Sequence, residues 1–125
     1  MTKLNDTNIP SLAVIGSGYW GKNLIRNFYQ LGALKLICDK NEDLLSQFQK
    51  DYPDVDICLA LSDVLRHSHI SAVVIATPAE SHFSLAREAI LAGKHVFVEK
   101  PLALTVKEAQ ELVEMAEQNH LTLMV

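Results

Sequence analysis

This sequence predicts a three-layer α/β fold, a doubly wound parallel sheet of about six strands with helices on both faces. Three observations predict it. Four short runs, Leu12 to Ile15, Leu34 to Cys38, Ala72 to Ala76 and His95 to Val98, are apolar almost throughout, as strands buried on both faces must be. Between them lie segments of helical spacing, and connections of that length join parallel strands rather than hairpins. The first run also ends in Gly16, Gly18 and Gly21, spaced G-x-G-x-x-G, before the chain turns helical. That spacing is the Rossmann fingerprint, and the strand order that accompanies it is 3-2-1-4-5-6.

The first ten residues are polar and lack the apolar stretch of a signal peptide, so a flexible leader is expected over 1–10 and a dinucleotide-binding domain over 11–125. After the strand Leu12 to Ile15, Gly16 permits a tight turn and Gly18 lets a phosphate-bearing ligand approach the backbone. Gly21 lets the next helix pack closely on the strand. That helix, Trp20 to Leu31, carries Leu24, Ile25, Phe28 and Leu31 as one stripe. Its first turn offers unpaired N–H groups and the positive end of the helix dipole to a pyrophosphate. The second strand, Leu34 to Cys38, runs into Asp39, about twenty residues past the glycines, where an acid takes the adenine ribose hydroxyls. A carboxylate there repels each unit of charge on a 2′-phosphate about 4 Å away by about 4 kcal/mol at an effective dielectric of about 20. NAD is therefore expected over NADP, with Lys40 beside it keeping NADP as the alternative.

From Asn41 to Tyr52 a helix turns Leu44, Leu45 and Phe48 inward until Pro53 stops it. A short strand, Val55 to Cys58, follows, and Ser62 and Asp63 are expected to cap a brief helix ending at Arg66. His67-Ser68-His69 reads as a solvated loop. It has no third ligand at suitable spacing, so no metal site is expected. Ala72 to Ala76 breaks at Thr77-Pro78, its carboxyl end on the same rim as the glycines. The helix from Ser81 to Ala92 faces Leu85, Ala86, Ala89 and Ile90 inward and stops at Gly93. His95 to Val98 ends at Glu99-Lys100-Pro101. Thr105 and Glu108 then form a capping box that opens a helix with Val106, Ala109, Leu112, Val113 and Ala116 on one face, closed by Asn119. Leu121 to Val125 reads as the sixth strand. His95 and His120 receive no role.

At 125 residues, 49% of them apolar, the chain fits one ordinary core. A net charge of −4 without any basic run argues against nucleic-acid or anionic-membrane partners. No apolar stretch is long enough to span a bilayer. Cys38 and Cys58, each closing a strand-like run, are expected as free, buried thiols in a reducing compartment, which makes the cytoplasm the expected location.

Three stretches together resemble one family: Val14 to Asn23, Ala76-Thr77-Pro78 to His82, and Ala92-Gly93-Lys94-His95-Val96-Phe97-Val98-Glu99-Lys100-Pro101. It is the glucose-fructose oxidoreductase / inositol dehydrogenase / MocA family of NAD(P)-dependent oxidoreductases, and the resemblance covers nearly the whole chain from Leu12 on. It implies that Thr77 and Pro78 lie along the nicotinamide side of the cofactor with His82 near them. It also implies that Glu99 contacts the nicotinamide ribose, that Lys100 reaches the substrate hydroxyl, and that the Lys100–Pro101 peptide is often cis. The cofactor-binding set is then Gly16, Gly18, Tyr19, Trp20, Gly21, Asp39, Thr77, Pro78, His82, Glu99, Lys100 and Pro101, with Lys100 also catalytic. The residue types suit the chemistry. An alcohol that gives up a hydride must also lose a proton, and a partly desolvated lysine bonded to its oxygen stabilises the charge that develops.

Members of that family continue past the sixth strand into a second α/β domain that supplies the substrate pocket. The chain is therefore expected to be the NAD(P)-binding domain of a dehydrogenase acting on a sugar, cyclitol or nucleotide-sugar hydroxyl. Its substrate domain would lie beyond Val125, a naturally single-domain relative being the other option. Assembly into a homo-oligomer stays open. The alternative of a different class is a non-catalytic NAD-sensing or interaction module, in which Lys100 and Glu99 have no chemical task.

Overall fold

In the computed structural model, which describes residues 9–125, six strands form one parallel sheet in the order β3-β2-β1-β4-β5-β6. Most of the expected leader lies outside the described residues; Ile9 and Pro10 are exposed. The strands are β1 (Leu12–Ile15), β2 (Leu34–Cys38), β3 (Asp56–Cys58), β4 (Ala72–Ile75), β5 (His95–Val98) and β6 (Leu123–Met124). The helices are α1 (Tyr19–Gln30), α2 (Glu42–Asp51), α3 (Leu61–Arg66), α4 (His82–Leu91) and α5 (Val106–Gln118).

The period-two alternation of side chains along the strands divides the core in two, with a register irregularity at the start of β2 that puts Leu34 and Leu36 in different halves. Ala13, Ile15, Leu36, Val73, Ile75, Val96 and Val98 pack with Val64 of α3, Ala86, Ala89 and Ile90 of α4, and Leu112 and Ala116 of α5. On the other face Leu12, Val14, Leu34, Ile37 and Val74 pack with Ile25 of α1 and Leu45 and Phe48 of α2. Both faces of the central strands are covered, so β1 and β4 have no solvent side and their sequences show no alternation.

Register puts the carboxyl ends of the strands in line. Ile15 pairs with Cys38 and with Ile75, and Ile75 pairs with Val98. The ladder runs one residue further: Gly16 N–H bonds Cys38 O at 2.9 Å, Ala76 N–H bonds Ile15 O at 2.8 Å, and Glu99 N–H bonds Ile75 O at 2.9 Å. Gly16, Ala76 and Glu99 therefore start their loops from one level, flanking the point where the strand order reverses between β1 and β4.

Helix boundaries match the expected ones to within a residue or two, and four details differ. Leu31 is 65% exposed because it is the cap after α1 rather than part of its inner stripe. Val106 and Val113 are exposed too, since α5 turns Leu112 and Ala116 to the sheet with Met115 beside them. Ser62 and Asp63 do not cap α3. The helix starts at Leu61 with Ala60 as its cap residue and no side-chain cap bond, leaving Asp63 in the first turn, where a negative charge meets the positive end of the dipole. The last strand is Leu123–Met124, shorter than expected. At α5 the Thr105 hydroxyl does accept from Glu108 N–H at 3.1 Å, and Gly93 closes α4 with φ +78.

Lys94 is a charged group inside the fold. It is 7% exposed, and its Nζ donates to the carbonyls of His67 at 2.8 Å and Ile70 at 2.6 Å, tying the turn before β4 to the start of β5. Burial pushes its pKa down, so the two bonds work against desolvation. Lys94→Met removes both donors and leaves two carbonyls without them. A loss of about 2–4 kcal/mol is expected in urea unfolding, and an unchanged midpoint would mean the bonds add nothing.

Candidate functional site

Where the sheet order reverses, the loops after β1, β2, β4 and β5 enclose a cleft of about 840 Å³, within the range of small-molecule and cofactor sites. The loop after β1 forms its floor. Gly16 has φ +94, and a Cβ there would stand 2.8 Å from the carbonyl carbon and oxygen of Ala76 and 2.9 Å from Thr77 N. Side chains are excluded because the loops after β1 and β4 touch backbone to backbone. Gly21 is outside the cleft's lining; a Cβ on it would run into the Gly16 carbonyl oxygen, so its role is to seat α1 on the loop. Gly18, the cap residue of α1, is different: nothing lies within 4 Å of where its Cβ would be. The protein does not fill that space, and the unpaired N–H groups of the first turn of α1 border it.

Asp39 stands at the end of β2 in a network that holds it ionised. Its Oδ2 accepts from Ser17 N–H at 2.7 Å and Ser17 Oγ at 2.6 Å, and its Oδ1 from Asn41 N–H at 2.8 Å. Partial burial alone would raise its pKa, but the bonds from the Ser17 hydroxyl and from the N–H groups of Asn41, Ser17 and Lys40 outweigh that and lower it. A carboxylate oxygen has about two acceptor positions. Oδ2 is filled by the two Ser17 donors.

Ser17 is fully buried and is the partner that sequence reasoning passed over, although a hydroxyl beside the first glycine was the available signal. Leu44, Leu59 and Leu61 also line the cleft and were not singled out for it. Cys38 lines it as well, and burial, then the neighbouring Cys58, pushes its thiol up to about 12, a protonated and unreactive group at neutral pH. Both cysteines are free, Cys38 buried and Cys58 half-buried, paired in register across β2 and β3.

The opposite wall comes from the turns after β4 and β5. Thr77 Oγ1 and Ser81 Oγ are 2.6 Å apart, and Ser81 Oγ donates to Pro78 O at 2.7 Å, which fixes the turn before α4. Thr77, Pro78, His82, Glu99 and Lys100 line the cleft, as do Gly16, Gly18, Tyr19, Trp20 and Asp39. Pro101 does not; its carbonyl meets the His82 ring, and the Lys100–Pro101 peptide is cis. Glu99 Oε2 accepts from Lys100 N–H at 3.3 Å. Lys100 is exposed, so the described residues do not supply the desolvation expected of it. Tyr19 and Trp20 stand in the mouth, 79% and 59% exposed, with their rings edge to face at 5.3 Å. Among the described residues no group of three or more potential metal ligands occurs, and no helix is long and apolar enough to cross a membrane.

Comparison with known proteins agrees with this geometry. The profile described as "Oxidoreductase family, NAD-binding Rossmann fold" matches residues 11–125. A UDP-N-acetylglucosamine 3-dehydrogenase of Acidithiobacillus ferrooxidans is 32% identical over 117 residues, covering 90% of this chain and 35% of that protein. A glycosyl hydrolase family 109 protein of Shewanella amazonensis is 33% identical over 117 residues, covering 85% of this chain and 26% of that one. The crystal structure of the WlbA dehydrogenase from Bordetella pertussis, in complex with NADH and UDP-GlcNAcA, superposes with a TM-score of 0.82 at 29% identity. The match covers 90% of this chain and 34% of that one. The chain thus spans about a quarter to a third of the relatives it matches.

Proposed function

We propose, since the chain belongs to the glucose-fructose oxidoreductase / inositol dehydrogenase / MocA family of oxidoreductases with an NAD-binding Rossmann fold, that it is the cofactor domain of an NAD-dependent dehydrogenase acting on a sugar or nucleotide-sugar hydroxyl. The observation that carries this is the single cleft lined by both Gly18 and Lys100, because one dinucleotide must reach from the first to the second.

The residues present fit such a group. The open space over Gly18 and the start of α1 suits a pyrophosphate, and the ionised carboxylate of Asp39 at the end of β2 suits the adenine ribose hydroxyls. Leu44, Leu59 and Leu61 give the adenosine end an apolar wall. Thr77, Pro78 and Glu99 border the nicotinamide end, and Lys100 donates to the hydroxyl oxygen of the substrate and holds the charge that develops there. NAD, when bound, supplies the hydride acceptor. The substrate pocket, completed by a second domain, is part of this proposal, and so is a location in the cytoplasm.

Trp20, the only tryptophan of the chain, lines the cleft and reports binding directly. Its fluorescence is expected to fall saturably with NADH, and with NADPH only at about tenfold higher concentration or more, the ionised Asp39 repelling the 2′-phosphate. Asp39→Ser should narrow that gap. Folded protein whose emission responds to neither dinucleotide would overturn the reading.

A second reading is favoured by the likeness to the glycosyl hydrolase family 109 protein: the same cleft would serve cleavage of a glycoside by a dinucleotide-dependent route. Product analysis separates the two, an oxidised sugar under the first and a free sugar with its leaving alcohol under the second.

A further inference from the structure

Ser17, between the first two glycines of the loop after β1, is 0% exposed and yet carries a hydroxyl. A buried hydroxyl needs a partner. This one donates to Asp39 Oδ2 at 2.6 Å, across 22 residues of chain, and the Ser17 N–H donates to the same oxygen at 2.7 Å. Asn41 N–H takes Oδ1 at 2.8 Å. The carboxylate is thus gripped from two loops, and three bonds on its two oxygens fix its plane as well as its direction. Among the described residues the Ser17 hydroxyl is its only side-chain donor. Partial burial works to raise the Asp39 pKa, and of the bonds that lower it the one from this hydroxyl weighs most.

We propose that Ser17 is a positioning residue that sets the choice between NAD and NADP, by keeping Asp39 from turning away from the 2′ position of the adenine ribose. The inference rests on the proposed function for the presence of a dinucleotide. Repulsion between a carboxylate and a 2′-phosphate discriminates only if the carboxylate stays in place. An acid at the end of a strand can turn about χ1 into another staggered well, and an unpinned Asp39 would make room for the phosphate beside the exposed Lys40. Selectivity is a difference between two affinities, and rejecting the wrong ligand needs a group that does not yield. Ser17 supplies that resistance, because turning Asp39 away would strand a hydroxyl and an N–H in a fully buried site. Ser17 itself has no surface to offer a ligand, so its effect passes through Asp39.

Ser17→Ala removes the hydroxyl and keeps the N–H. Followed through Trp20 emission, the preference of the protein for NADH over NADPH is expected to narrow about fivefold or more, the scale of one lost bond to a charged group. NADH should weaken while NADPH holds or gains. A role in stability alone would weaken both dinucleotides by one factor, and a preference equal to that of the parent would overturn the proposal. Ser17→Cys, close in size but a weaker donor, should fall between parent and alanine, and it carries the test if the alanine variant does not fold. A parent protein whose emission answers neither dinucleotide would sink the proposed function, and the specificity role with it. The grip on the carboxylate is judged apart from that: the 13C shift of the Asp39 carboxyl should titrate at higher pH in the Ser17 variants than in the parent. Coincident midpoints would refute the grip whatever the dinucleotides do.

Discussion

Gly16→Ala is expected to destabilise the domain by about 2–5 kcal/mol, combining the cost of a side chain at positive φ with overpacking against a rigid neighbour. The atoms in the way are the backbone of Ala76 and Thr77, which cannot turn aside as a flexible side chain could. Moving them would break the Ala76 N–H bond to Ile15 O that aligns β4 with β1. A domain of this size has about 5–15 kcal/mol in total, so the loss is a large share of its stability, visible in the urea midpoint. Gly18→Ala, two residues on, separates folding from binding. Its Cβ would enter empty space and its φ of −70 suits alanine, so stability should stay within about 0.5 kcal/mol. The methyl group would nevertheless stand where the pyrophosphate approaches the backbone, and NADH affinity is expected to fall about tenfold or more. Undiminished affinity in Gly18→Ala would put the dinucleotide elsewhere.

Lys100→Met in the assembled enzyme of the proposed function is expected to lower turnover by about 10²–10⁴, the range for a side chain that handles a proton or the charge it leaves behind. Cofactor affinity should change by less than about threefold, because the lysine is exposed on the rim and most of the cleft's lining comes from the loops after β1, β2 and β4, the loop after β5 adding only Glu99 and Lys100. A fall in turnover with matching loss of NADH affinity would make Lys100 a cofactor contact only. Turnover that survives the substitution would favour the non-catalytic sensing module instead. Arginine at this position keeps the charge but carries it on a planar fork of different reach, so Lys100→Arg is expected to recover little.

Most of the scaffold was legible in the sequence because buried parallel strands are written plainly, as apolar runs such as Leu12–Ile15 and Ala72–Ile75 punctuated by Gly16 and Pro78. Strand order followed from the glycine spacing, and Asp39 from its distance beyond it. Helix faces were less legible. Periodicity counts apolar residues without knowing how wide the covered stripe is, so Leu31, Val106 and Val113 were assigned to a core they do not enter. The start of α3 escaped for a related reason: Ser62 and Asp63 have the chemistry of caps, while packing of the neighbouring Leu61 and Val64 on the sheet decided where the helix begins.

The sequence by itself determined the element order, the parallel sheet, the glycine loop and the acid after β2, since each is encoded by neighbours along the chain. Only the tertiary structure decided that Gly16, Ala76 and Glu99 begin their loops at one level, that Ser17 holds Asp39, that Lys94 is buried on two carbonyls, and that His82 meets carbonyls from two turns. Those contacts join positions between 5 and 61 residues apart. They depend on strand register and loop approach, and local spacing carries no record of either.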